Sequence, residues 1–292
     1  MTKPEWLTIK PASTEKYGAV KRLLSCSGLG TVCVGAHCPN ASECWSAGTA
    51  TFMVLGDACT RGCRFCAVPK KATGAAPDPA EPGRLAMAVH ELKLRYVVVT
   101  SVCRDDLEDQ GAGHFAACIR EIKMANPGAA VEVLIPDFQG NEGLIRRVVE
   151  AGPDVVGHNI ETVERLTPFI RDRRASYALS LKVLRIVKAL NGAVLTKSSM
   201  MLGLGEKGPE IFAAMKGLRT AKVDFLALGQ YLCPGAQNLP VQEYVTPKKF
   251  EELKKAALGL GFLNVASGPF VRSSYRASEF FTEAMASRKA NA

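Results

Sequence analysis

From residue 50 onward the chain alternates short apolar, β-branched runs with longer amphipathic ones. The short runs are ATFMVLG (50–56), RYVVVTS (95–101), AAVEVLIP (129–136), PDVVGHN (153–159), AVLTKSSMML (193–202) and VDFLALG (223–229). They are nearly continuous in apolar character, as strands covered on both faces should be. Between them the 3.6-residue period predicts helices near 79–94, 112–126, 141–151, 176–191, 207–221 and 246–260. Six βα units in succession predict a parallel sheet, either an open doubly wound sheet or a barrel. In both, ligands bind beyond the C-terminal ends of the strands. The polar and unusual residues fall at those ends: Cys59 to Cys63, Ser101 with Arg104, Asp105 and Asp106, Asp137, Asn159 with Glu161, Glu206, and Gln230-Tyr231. Residues 1–50 show no clear strand. Residues 11–28 read as one helix with Ser13 or Thr14 as N-cap, and 69–84 as a Pro/Gly/Ala loop.

Composition narrows the class. The 292 residues are 47% hydrophobic and 22% charged, which excludes collagen-like, coiled-coil and disordered chains. The net charge of +9 favours acidic partners without choosing among them. No apolar run is long enough to span a membrane. MTKPEWLTIK has no apolar signal region, and the start is neither Arg- nor Ser-rich, so a reducing, bacterial-type cytoplasm is expected.

Ten cysteines sit in this chain, six of them between residues 33 and 66. Clustered thiols in a reducing compartment bind metal more often than they pair. Cys59, Cys63 and Cys66 follow the first strand in a Cys-x3-Cys-x2-Cys pattern, with Gly62 able to permit a tight turn. Zinc sites usually take four protein ligands, whereas a [4Fe–4S] cube held by three thiolates leaves one iron for a non-protein ligand. With Phe65 before the last cysteine, this is the signature of the radical S-adenosylmethionine (SAM) enzymes. Cys33, Cys38 and Cys44 form a second trio, Cys-x4-Cys-x5-Cys. It needs a fourth ligand from elsewhere, for which Cys103, Cys118 and Cys233 are available, or it keeps an open iron. Cys118 lies in a helical pattern and reads as a core thiol. His37 cannot easily bend back onto the metal of its neighbour Cys38.

Both trios together, with CPNASECW, CTRGCRFCAV, TSVCRDDLEDQGAGHF, LIPDFQG, HNIETVERL, KSSMMLGLGE, LGQYLCPGAQNLPVQEYVTP and GPFVRSSYRA, resemble the lipoyl synthase family over nearly the whole chain. The resemblance implies a partial (β/α)6 TIM-type barrel over 50–260. It also implies an N-terminal extension, 1–49, carrying an auxiliary cluster and a C-terminal segment, 261–292, closing onto it. Cys59, Cys63 and Cys66 would hold the [4Fe–4S] cluster that cleaves SAM to a 5′-deoxyadenosyl radical, chemistry delegated to a cofactor because no side chain could supply it. Cys33, Cys38 and Cys44 would hold the second [4Fe–4S] cluster, with a serine oxygen of Arg272-Ser273-Ser274-Tyr275 as fourth ligand, Ser274 ahead of Ser273. An alkoxide is a poor partner for a soft iron–sulfide cube, which suits an iron that must be freed when the cluster gives up its sulfide. The activity implied is a sulfurtransferase of lipoate biosynthesis. It would insert sulfur at C6 and C8 of an octanoyl chain on a lysine of a 2-oxoacid dehydrogenase lipoyl domain or the glycine-cleavage H protein. Further partners implied are a flavodoxin- or ferredoxin-type electron donor and a cluster-rebuilding carrier, with neither nucleic acid nor membrane involved.

The remaining candidates follow from strand ends. Thr100 and Ser101 end the second strand, where related enzymes hold the SAM amino group, and Asn159 and Glu161, ending the fourth, are placed against its ribose. Arg174, or Arg173, is placed against its carboxylate. Lys197 and Ser199 are expected to face the same cavity. Gly203 to Glu206 form either an adenine approach or an ordinary strand-to-helix turn. Arg104, Asp105 and Asp106 suit a salt network, and His158 a satisfied strand-end group. The chain departs from the family pattern at Val34-Gly35, where acidic residues are usual, at Cys103, where Asp is usual, and at Ala266-Ser267-Gly268. Two other readings compete: another sulfur-inserting or methylthiolating radical enzyme, and a zinc-bearing nucleic-acid binder. The latter lacks paired zinc-ligand units and interleaved basic-aromatic runs.

Overall fold

The computed structural model describes residues 2–8, 14–46 and 50–290. Its elements in chain order begin with α1 (Glu15–Ser27), β1 (Gly30–Thr31), α2 (Val32–Gly35), α3 (Ala41–Ser46) and β2 (Thr51–Val54). Next come α4 (Glu81–Glu91), β3 (Tyr96–Ser101), α5 (Ala112–Ala125), β4 (Ala130–Leu134), α6 (Glu142–Val149) and β5 (Val155–Gly157). The remainder are α7 (Thr167–Ile170), α8 (Tyr177–Leu190), β6 (Leu195–Leu202), α9 (Gly208–Thr220), β7 (Phe225–Gln230), α10 (Pro247–Gly259), β8 (Asn264–Gly268) and α11 (Ala277–Ala290). All six expected strands and all six expected helices are present. Thr14 caps α1, its hydroxyl accepting from Tyr17 N–H; Ser13 lies outside the described residues.

Strands β2 to β8 are parallel and neighbour one another in chain order, and β1 adds antiparallel to β2. A doubly wound sheet would reverse its order partway. This one does not, and its outer strands are not paired with each other, so it is a partial barrel. Two strands were not legible beforehand. β8 reads Asn-Val-Ala-Ser-Gly, too polar and small to form an apolar run, yet it pairs with β7 from Phe225↔Asn264 to Gly229↔Gly268. β1 is two residues long.

Amphipathic helices cover the sheet. One apolar cluster joins α4, α5 and α6 to β2, β3 and β4 through Leu85, Phe115, Ile119, Ile145 and Val99. A second joins α8, α9 and α10 to β6, β7 and β8 through Leu184, Met215, Phe250 and Val265. At roughly 25 cal/mol per Å² of apolar surface removed from water, these two faces are the main stabilising term. They fix the strand ends on which the site is built. No helix among the described residues is long and apolar enough to cross a membrane.

Candidate active site

A cavity of about 570 Å³ opens at the C-terminal ends of the strands. Cys59, Cys63 and Cys66 line it, as do Thr100, Ser101, Asn159, Glu161 and Ser199. A smaller pocket adjoins it, lined by Cys33, Cys38, Cys44 and Ser274; Cys38 and Ser274 face both spaces. The two thiol trios therefore stand at adjoining spaces, and Ser274 reaches them from the other end of the sequence.

The loop carrying Cys59, Cys63 and Cys66 is held from outside. Gly62 N–H donates to Asp172 Oδ2 at 2.7 Å, and Asp172 N–H donates to Cys63 Sγ at 3.3 Å. Asn238 Nδ2 donates to the carbonyls of Arg64 and Cys66, both at 3.1 Å. Gly62 itself is not in the left-handed region, so these bonds, rather than glycine freedom, shape the turn. Cys59 Sγ accepts from the main-chain N–H of Arg61 at 3.5 Å and of Cys103 at 3.4 Å. A hydrogen bond from the Cys103 thiol, with those two amides, brings the Cys59 thiol down to about 6 against its burial. Burial pushes Cys66 up to about 11 and raises Cys63 and Cys38. Thiolates are the nucleophilic and metal-binding forms, and Cys59 is the member of its trio whose thiol is lowered.

The donor set fits a cluster better than a single ion. Among the described residues no three His, Cys, Asp or Glu side chains lie close enough together to hold one metal ion, and no disulfide joins any of the ten cysteines. Zinc gathers its thiolates around one centre at about 2.3 Å. A cube spreads three over three irons. Two further groups face the cavity. The carboxyl of Glu161 is buried, which raises its pKa, and its backbone is strained at φ 65°. Arg171 Nη1 donates to Ser180 Oγ at 2.7 Å, while its buried Nε meets no acceptor.

Several expected residues lie elsewhere. Arg174 is turned away from the cavity, bound to Asp172 Oδ1 at 2.8 Å and to the Thr60 carbonyl; Arg171, three residues earlier, faces it instead. Lys197 sits near the opposite, N-terminal end of the strands and donates to both Glu132 oxygens at 2.9 and 3.0 Å. Gly203 to Glu206 form the ordinary turn. Glu206 accepts from the N–H groups of Gly203 and Leu204, and a Cβ at Gly203 would meet Glu243 O at 2.4 Å. Of the cysteines offered to the first trio, Cys103 lies beside Cys59, Cys233 lines the large cavity and Cys118 is buried in α5. None of them lines the small pocket.

The C-terminal segment closes the small pocket through three hydrogen bonds. Asn40 Nδ2 donates to Phe270 O at 2.6 Å, Thr51 Oγ1 to Ser274 Oγ at 2.8 Å, and Tyr275 Oη to Glu43 Oε1 at 2.9 Å. Ser273 points the other way, donating to Asn159 Oδ1 at 3.1 Å. Gly229 makes this approach possible, because a Cβ there would stand 2.0 Å from Val271 O. No spacing rule reveals these contacts.

At one wall of the cavity, Arg61 is buried between Asp105 and Asp137, at 2.7 and 2.5 Å, and Arg104 nearby pairs with Asp106 at 2.9 Å. His158 is satisfied at both nitrogens, 2.9 Å from Ile135 O and 3.0 Å from Ser180 Oγ. Burial, with the Arg171 charge beside it, lowers its pKa from 6.5 to about 4. The unfolded chain then binds a proton that the folded chain refuses. This contribution is complete above pH 6.5 and is lost as pH falls toward 4, by up to about 3 kcal/mol. Urea midpoints are expected to drop between about pH 7 and about pH 5, and to drop less in H158N. Equal declines in the two proteins would show that His158 is not the group responsible.

Residues 53–216 match the radical SAM superfamily. The chain is 55% identical over 284 residues to the lipoyl synthase of Methanocella arvoryzae, covering 97% of this chain and 96% of that protein. It is 53% identical over 289 residues to the lipoyl synthase of Myxococcus xanthus, covering 98% and 96%. Among solved structures, methylornithine synthase superposes with a TM-score of 0.54 at 11% identity, over 84% of this chain and 70% of that one. Streptococcus suis SuiB bound to S-adenosylmethionine gives 0.58 at 10%, over 78% and 54%. Identities this low speak for the fold alone.

Proposed function

The chain belongs to the lipoyl synthase family of radical SAM enzymes, and on that premise we propose that it inserts two sulfur atoms, at C6 and C8, into a protein-bound octanoyl-lysine. The observation that carries this reading is the placing of two thiol trios at adjoining spaces, with Cys38 and Ser274 facing both. Family membership implies a [4Fe–4S] cluster and SAM; the second cluster is our inference from the first trio. When bound, these groups supply one-electron cleavage of a sulfonium and a source of sulfide.

The chain's own residues do the rest. Cys59, Cys63 and Cys66 hold the SAM-binding cluster. Cys33, Cys38, Cys44 and Ser274 hold the other. Thr100 and Ser101, Asn159 and Glu161, and Ser199 border the SAM site, with the unpartnered Arg171 Nε taking the carboxylate that Arg174 was expected to hold. The walls between the trios include Met53, Leu134, Ile135, Met200 and Val271, an apolar path suited to an alkyl chain. Residues 1–49, 50–260 and 261–292 act as auxiliary-cluster segment, radical SAM core and closing segment. The carrier is a lipoyl domain or H protein, drawn by the basic charge. A flavodoxin or ferredoxin supplies electrons, a cluster carrier restores the spent site, and the setting is the cytoplasm.

Anaerobic protein is expected to hold about eight irons in two cubes. Incubated with an octanoyl-lysine peptide, SAM and dithionite, it is expected to give a peptide carrying two added sulfurs by mass spectrometry. A colourless zinc protein, or a product without sulfur, would refute the assignment.

A further inference from the structure

The segment after β3 brings a fourth thiol to the trio of Cys59, Cys63 and Cys66. Cys103 N–H donates to Cys59 Sγ at 3.4 Å, and Thr60 N–H donates back to Cys103 O at 3.0 Å. The two main chains thus run side by side, with the Cys103 main chain directly against the Cys59 sulfur. Cys63 and Cys66 are anchored away from Cys103. Each takes its own main-chain donor, Asp172 for Cys63 and Val68 for Cys66. A cube held by three thiolates leaves its fourth iron to a non-protein ligand, so Cys103 is not placed as a further ligand. It is placed as a disulfide partner. Cys59 and Cys103 both line the large cavity, which gives a small oxidant access to them.

We propose that Cys59 and Cys103 are a reversible oxidation site, joining as a disulfide whenever the cavity lacks its cluster and so sparing Cys59 from irreversible oxidation. This rests on Cys59 being a cluster ligand, and is independent of the sulfur-insertion step. The oxidant is a peroxide. The Cys59 sulfur attacks one peroxide oxygen, the O–O bond breaks, and the departing oxygen leaves as water, giving a sulfenic acid. The Cys103 sulfur then attacks the Cys59 sulfur, the S–S bond forms, the S–O bond breaks, and a second water carries off the thiol proton. The two thiols lose two electrons and the peroxide gains them. A dithiol reductant reverses the bond. With both thiols restored, Cys59 is again available to iron.

The test uses the full chain stripped of iron anaerobically and treated with about a tenfold excess of hydrogen peroxide, enough to carry an unprotected thiol past the sulfenic to the sulfinic acid. Non-reducing digestion and mass spectrometry are expected to find a peptide joining Cys59 to Cys103, lighter by two hydrogens than the separate thiols. Dithiothreitol should then restore iron uptake to the level of untreated protein. In C103S no crosslink forms, Cys59 gains oxygens, and iron uptake after peroxide and dithiothreitol falls about threefold or more. C103D, with the residue usual here in the family, serves as a second variant with the same expectation. A wild-type crosslink from Cys59 to Cys63 or Cys66, or full recovery in both variants, would overturn the proposal. None of these readouts depends on lipoyl product, so failure of the wider functional reading would be seen separately.

Discussion

K197M is expected to destabilise the folded chain by about 3–5 kcal/mol, the usual consequence of stripping one partner from a buried ion pair. The Lys197 ammonium contacts both oxygens of Glu132, and the two side chains are 8% and 2% exposed. Tyr96 donates its hydroxyl to the same carboxylate. Without Lys197, Glu132 is left as an uncompensated charge in the barrel interior. In a domain of this size the loss corresponds to a fall in Tm of roughly 10 °C. Adding E132Q removes the orphaned charge while keeping an acceptor for Tyr96, and should return more than half of the lost stability. Thermal melts of the three proteins decide the matter. SAM affinity of the K197M protein that remains folded should be close to wild type. An unchanged Tm with lost SAM binding would return Lys197 to the cofactor site and contradict the structure.

The second large effect separates two adjacent serines. S274A is expected to lower lipoyl product by about 100-fold or more, since changes even one step removed from a metal centre cost up to that much. Iron at the Cys59 trio should remain, read as the spectroscopic response of one reduced cube to added SAM. S273A should lose about fivefold at most, the cost of one hydrogen bond, here to Asn159. S274C should retain iron at the first trio yet release sulfur more slowly, because a thiolate grips soft iron more firmly than an alkoxide. Equal losses in S273A and S274A would remove the reason for assigning Ser274 to iron.

Much of this architecture is legible in the residues because burial on both faces writes strands as apolar runs, and the helices follow from their period. β8 escapes that signal, since Asn264, Ser267 and Gly268 hide a strand whose pairing is set by tertiary contact with β7. The two trios are legible because thiol spacing is local. What the sequence leaves open is depth and direction. Lys197 and Ser199 lie two residues apart on β6, yet Ser199 reaches the cavity while Lys197 meets Glu132 nearer the strand starts. Arg171, Arg173 and Arg174 share one irregular segment without periodicity, so nothing local says which guanidinium turns inward. Cys103 is visible as a departure from the family pattern, but its contact with Cys59 needs β2 and β3 to be neighbours in the sheet. Ser274 became legible through resemblance alone, because its pocket joins pieces of chain from both ends.

That joining sets a timetable for synthesis. Thr51 and Ser274 are bonded across 223 positions, and Asn40 and Phe270 across 230. A ribosome adding about 5–20 residues per second delivers Cys33, Cys38 and Cys44 roughly 10–50 seconds before Ser274 emerges. For that interval the earliest thiols have no finished compartment to occupy. On the reading proposed above, their loading with iron waits until the segment around Ser274 has been made, so a later-made part of the chain gates an earlier-made one.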